Sequence, residues 1–127
     1  MRAWQPVTVT YPTAEIAIVA ATKSLGLPVD FVGDEKPRNA GTAIIWNRIG
    51  GRDPTALMQC RVFAPHGHEA IEIARQLAAQ LPRTVRNRQF GIHRIEQISG
   101  ITDLGNHPEP MRQLIYEIGL TPERNPS

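Results

Sequence analysis

Hydrophobic and polar positions alternate along this chain with two different periods, and the changes of period divide it into elements. From Leu57 to Ala64, Met58, Cys60, Val62 and Ala64 fall on one side and Gln59 and Arg61 on the other. That period of two is the mark of a half-buried strand. Met111 to Leu120 repeats it, with Leu114, Tyr116, Ile118 and Leu120 set against Gln113 and Glu117. Thr42 to Ile49 is rich in β-branched and aromatic residues and ends at Gly50-Gly51. A moderately long Gly-Gly-Arg-Asp-Pro loop then joins it to the 57–64 strand as an antiparallel pair. Shorter or less regular strands are predicted at Val29–Val32 and Phe90–Ile98, and Val7–Tyr11 reads as a short strand or an extended arm.

Two segments carry helical signals. In Glu69 to Leu81, Ala70, Ile73, Ala74, Leu77 and Leu81 follow the i, i+3, i+4, i+7 rule, with Glu69, Glu72, Arg75, Gln76 and Gln80 outside and Pro82 as the stop. Thr13 to Leu25 begins with Thr13 as N-cap and Glu15 in the first turn, where the helix dipole favours an acid. Ile16, Val19 and Ala20 share one face of it, and Gly26 follows as the terminating glycine. The order strand, helix, three strands, helix, two strands predicts an α+β fold: a single antiparallel or mixed β-sheet with two helices packed on one face. The chain is expected to be a single domain over residues 1–127. Residues 1–11 form an N-terminal arm or strand, 12–120 the α+β core, and 121–127 a flexible tail with no apolar partner. Polar connections run from Gly33 to Gly41 and from Ser99 to Pro110.

Composition adds exclusions. With 127 residues, 41% hydrophobic and 20% charged, the chain has material for one packed core and no more. Its longest apolar stretch, Ile16 to Ala21, is far short of the roughly 18 residues of a membrane span. The first residues lack the apolar core of a secretory signal, so synthesis and assembly in the cytoplasm are expected. A lone cysteine rules out an internal disulfide framework and a multi-cysteine zinc site. The net charge of +2 is too small for nucleic-acid binding through bulk charge. Twelve Arg stand against two Lys, and Arg83 to Arg94 holds four Arg and one His with no acid between them.

The candidate chemistry is sparse. His66-Gly67-His68 is a possible metal pair, but it opens a helix after Pro65 and no third ligand is evident, so a turn is the stronger reading. His93 and His107 are isolated. Cys60 alternates with Met58 and Val62 and reads as a buried, inert thiol packed toward Ala74, Leu77 or Leu81. Ser99-Gly100 lacks a nucleophile-elbow context, and Gly50-Gly51 lacks a phosphate-loop or dinucleotide spacing, leaving a turn or bulge. Asp34-Glu35 sits in a solvated loop. No catalytic, cofactor or metal site is expected, which points away from an enzyme. The basic segment is a solvated face, a phosphate track or a set of partners for acids across an interface.

The ordered pattern resembles the small tail terminator proteins of long-tailed phages that infect actinobacteria. It comprises the Pro12-Thr13-Ala14-Glu15 helix start, Arg48-Ile49-Gly50-Gly51 closing a β-rich segment, and Arg52-Asp53 before the Leu57–Ala64 strand. It continues with the Ala-rich helix ending in Leu81-Pro82, the strand into Ser99-Gly100, and Pro108 and Pro110 before Met111–Leu120. The likeness spans residues 12–120, and order and spacing carry it more than any one motif. It implies a non-catalytic virion protein in the neck, without cofactor or membrane. Such a protein forms a homo-oligomeric, hexameric ring that caps the capsid-proximal end of the tail tube and stops its growth. The ring contacts the major tail tube protein, joins the tail to head-completion or connector proteins, and lets genomic DNA pass through its lumen without sequence specificity. A head-to-tail ring needs two different complementary patches on each subunit. The candidates for subunit or partner contact are Arg48, Gly50, Gly51, Arg52, Asp53, Asp34 and Glu35. Arg83, Arg86 and Arg88 would face either a neighbour or the lumen. Competing readings are another neck ring protein (head-closure or connector adaptor) and a small ligand-binding α+β domain.

Overall fold

A computed structural model describes residues 7–32, 41–87, 89–105 and 110–126. Strand β1 (Val7–Thr10) leads into helix α1 (Ala14–Ser24), which Thr13 caps with extended backbone and no side-chain bond. The Thr13 carbonyl accepts the Ala17 N–H at 3.0 Å. The helix stops where Gly26, at φ +76°, donates its N–H to the Lys23 carbonyl at 3.0 Å, the left-handed ending a glycine makes cheap. Strands β2 (Val29–Val32), β3 (Ala43–Arg52) and β4 (Thr55–Phe63) follow. Helix α2 (Gly67–Gln80) passes directly into a 3-10 helix over Leu81–Asn87. Strands β5 (Ile92–Gln97), β6 (Thr102–Asp103), β7 (Met111–Leu120) and β8 (Glu123–Pro126) complete the described chain.

The main sheet has the order β2-β3-β4-β7-β5, with β6 also paired to β7. All pairings in it are antiparallel except β2 with β3, so the sheet is mixed and the fold is α+β, as the pattern predicts. The central pair, β4 with β7, runs without a register shift from Thr55 opposite Gly119 to Phe63 opposite Met111. This register places Ala56, Met58, Cys60 and Val62 on the same face as Leu114, Tyr116 and Ile118. Those residues form one buried cluster with Ile18 of α1, Leu77 of α2 and Leu81. Both helices therefore pack on one face, and Cys60 lies in the expected layer, fully buried.

Four local expectations are corrected. In α1 the buried residues are Ala14, Ala17, Ile18, Ala21 and Thr22, whereas Ile16, on the shared apolar face, is 70% exposed. Strand β3 does not end at Gly50-Gly51 but runs through both, with a register shift between Arg48 and Gly50. The β3–β4 connection is consequently a two-residue loop, Asp53 and Pro54, not a longer one. The third correction concerns the tail: β8 pairs antiparallel with β1, Val7 opposite Pro126 and Thr10 opposite Glu123, in a ribbon separate from the main sheet. Backbone pairing needs no apolar side chains, so hydropathy gives no warning of it. Finally, Pro82 ends the α-helix but not the helical path. It is the second residue of the 3-10 helix, where a missing N–H costs little.

Candidate functional site: the hairpin tip and the basic turn

Arg48 faces Met58 in the β3–β4 register, which directs it to the helix-covered side of the sheet. There its Nε donates to Glu15 Oε1 at 2.8 Å and its Nη2 to Asp53 Oδ1 at 3.1 Å. One guanidinium thus ties the first turn of α1 to the tip of the β3–β4 hairpin. Partial burial works against its charge, but the hydrogen bond and charge of Glu15, then those of Asp53, outweigh that and hold the pKa above its ordinary value. Gly51 sustains the tip: at φ +82°, a Cβ there would stand 2.6 Å from the Thr55 carbonyl oxygen. Gly50 is less constrained, since its added Cβ would meet Leu57 at an ordinary 3.6 Å. Arg52 is exposed beside them.

The structure therefore gathers Arg48, Gly50, Gly51, Arg52 and Asp53 at one end of the molecule. It engages Arg48 and Asp53 with each other and with Glu15. The sequence singled out Glu15 only for the helix dipole, and a contact across 33 residues leaves no local signal. Asp34, Glu35 and Arg88 lie outside the described residues.

Arg83 and Arg86 are both exposed on the 3-10 helix, and among the described residues neither has an ion-pair partner. Arg83 lines a cleft of about 430 Å³ with Ser24, Leu25, Gln80, Thr84, Gln89 and Phe90. The Ser24 and Thr84 hydroxyls already donate to the Ala21 and Leu81 carbonyls, at 2.6 and 2.7 Å. The cleft lies at the last turn of α1, nine residues beyond Glu15. At a 1.5 Å rise per residue it is about 14 Å along the helix from the Arg48 contact. The hairpin tip and the basic turn are two sites, not one.

The remaining candidates have structural roles. His66 and His68 stack with ring centroids 5.6 Å apart at the entrance of α2. Among the described residues no three His, Cys, Asp or Glu side chains are grouped to hold a metal. Burial pushes the Cys60 thiol far up from its ordinary value, away from thiolate chemistry. The Ser99 hydroxyl oxygen accepts the Ile115 N–H at 2.9 Å and so completes the sheet where β5 ends. On the face of the sheet away from the helices, Gln59 donates to Gln113 at 2.7 Å. At the β5 edge, Arg94 bridges Glu96 and Glu117, and Arg112 pairs with Asp103.

Among the described residues, no helix is long and apolar enough to cross a membrane. The chain matches no protein-family model, and comparison with curated proteins gave no match.

Proposed function

We propose that this protein is a structural subunit of the tail-terminator type: a non-catalytic ring that closes the capsid-proximal end of a phage tail tube. In this reading the ring arrests tube growth, joins the tail to head-completion or connector proteins, and admits the genome through its lumen. One observation supports it above the others: the landmarks of the sequence resemblance coincide with the joints of the fold. Pro12–Glu15 opens α1, and Arg48–Gly51 is the bulged end of β3. Leu81-Pro82 is the junction of α2 with the 3-10 helix, and Ser99 is the point where β5 leaves the sheet. The hairpin tip acts as architecture in this reading, with Arg48 fixing α1 to the β3–β4 turn.

The unpaired Arg83 and Arg86, with Arg88, face protein rather than DNA. A lumen through which DNA slides must not grip it, and each phosphate neutralised adds affinity by counterion release. Arginine–carboxylate pairs, in contrast, give a subunit contact its register.

Sedimentation velocity of the purified protein, with negative-stain images of it alone and on tail tubes, tests the proposal. The expected result is a closed six-fold ring seated at one end of the tube. A monomer both in solution and on tubes overturns it. The cleft beside Arg83 favours a second reading, a small domain that binds an anionic ligand; that reading gains if rings are absent while a small carboxylate raises the melting temperature.

A further inference from the structure

Among the described residues, the large hydrophobic side chains most open to solvent are Ile16 (70% exposed), Ile98 (50%), Ile49 (44%) and Leu104 (39%). Single exposed aliphatic residues are ordinary. Here, however, three of the four belong to two surfaces of opposite charge. On α1, Ile16, Val19, Ala20 and Lys23 line a shallow groove of about 270 Å³. Ser24, four residues beyond Ala20 and so on the same side of the helix, continues that stripe into the cleft of Arg83. This surface is apolar at one end and cationic at the other. Among the described residues, no carboxylate pairs with Lys23 or Arg83.

The second surface is the corner where the chain leaves β5 for β6. Glu96 and Ile98 are two residues apart and project to the same side of an extended chain. Asp103 and Leu104 follow on the next turn of chain. The carboxylates of Glu96, Asp103 and Glu117 outnumber the guanidiniums of Arg94 and Arg112, which leaves the corner net negative. Glu96 and Asp103 remain 59% and 61% exposed despite their ion pairs.

These surfaces belong to opposite sides of the sheet. Helix α1 packs on β2 and β3, while β5 is the far edge of the order β2-β3-β4-β7-β5. Four strand spacings of about 4.8 Å separate the edges by about 19 Å, so the two surfaces of one molecule cannot meet.

We propose that they meet between molecules: the α1 groove of one copy receives the β5–β6 corner of the next. Ile98 and Leu104 cover Ile16 and Val19, and Glu96 and Asp103 approach Lys23 and Arg83. A second copy of this chain is the occupant because the apolar stripe and the charge that complements it are both present on the same chain. A contact between two unlike surfaces repeats by rotation and generates a ring or a filament. The inference rests on the ring reading above and assigns that ring its subunit contact.

Cysteines placed at both surfaces provide the test. Cys60 is fully buried and does not compete. Under mild oxidation the chain carrying both Ile16→Cys and Ile98→Cys should give a ladder of covalent oligomers on a denaturing gel, and neither single variant should cross-link. A covalent dimer from either single variant would show a surface meeting its own copy and overturns the proposal. Rings in the micrographs with no ladder overturn this pairing of surfaces and leave the ring reading standing. Absence of both ladder and rings removes the ring reading itself.

A charge exchange gives an independent measure. Lys23→Glu and Glu96→Lys should each weaken self-association about tenfold or more. The chain carrying both changes should recover most of that loss, since the charges are then exchanged across the same contact. Both positions are exposed, and circular dichroism confirms that each variant is folded. Recovery absent in the doubly changed, folded chain counts against the pairing.

Discussion

Helices α1 and α2 cover the same face of the same sheet and obey different rules. In α2 the buried positions are Ala70, Ala74 and Leu77, and the opposite side carries Glu72, Arg75 and Gln76, so polarity alone orients the helix. Helix α1 is apolar on more than one side. It presents Ala14, Ala17, Ile18 and Ala21 to the sheet and leaves Ile16 in solvent. Small residues inward let the helix approach the strands closely, and close approach is worth more than hiding one isoleucine. An apolar period identifies the inward face only where the other face is polar. Where it is not, packing decides, and the apolar residues left outside become available to a partner.

The largest expected effect separates the two helices directly. Leu77→Ala should cost about 2–5 kcal/mol in urea unfolding, through lost burial and a cavity. Ile16→Ala on α1 should change stability by less than about 0.5 kcal/mol. Comparable losses at the two positions would break the contrast. The one polar side chain on the inner face of α1 sharpens it. Thr22 Oγ1 donates to the Ile18 carbonyl at 2.7 Å and accepts the Trp46 Nε1–H at 3.0 Å, all within the core. Thr22→Val keeps the shape and strands the indole N–H, which should cost about 1–3 kcal/mol. Thr22→Ser retains the hydroxyl and should lose less.

The smallest effect concerns the layer beneath both helices. Burial raises the Cys60 thiol from 9.0; burial and the neighbouring Cys60 raise the Tyr116 phenol from 10.0. The unfolded chain loses these protons first, so their contribution is complete below pH 9 and declines as pH rises above it. The thiol alone should cost about 1.4 kcal/mol one pH unit above its ordinary value. Urea midpoints measured along an alkaline series check this, and Cys60→Ala should flatten the first part of the decline.

The parts of the fold legible in the sequence are those where one period acts alone. β4, β7 and α2 each have a polar side and an apolar side, and their buried residues were identified correctly. The inner face of α1 was not legible, because Ile16, Val19 and Ala20 are as apolar as Ala17, Ile18 and Ala21. Strands β6 and β8 were missed because backbone pairing holds them and their sequences, Thr-Asp and Glu-Arg-Asn-Pro, carry no β pattern. The end of β3 was misread because glycine usually punctuates; here Gly51 instead allows the strand to continue into a two-residue turn. At the candidate site, Arg48, Gly51 and Asp53 were singled out correctly as a group. Their use inside the molecule was hidden, since it depends on Glu15 arriving from a distant helix.

Trp46 gives the molecule an optical signature. Its indole is fully buried, bonded to Thr22 of α1, and 5.7 Å from the Tyr116 ring at an interplanar angle of 53°. An indole held this way emits at short wavelength and accepts excitation energy from the adjacent phenol. Lifting α1 from β3 would admit water, shift the emission to the red and remove the hydrogen bond in the same event. The other tryptophan, Trp4, lies outside the described residues, and Trp4→Phe leaves Trp46 as the sole emitter. Fluorescence from that variant would follow the seating of α1 on the sheet, in the free subunit and in any assembly that draws on the outer side of the same helix.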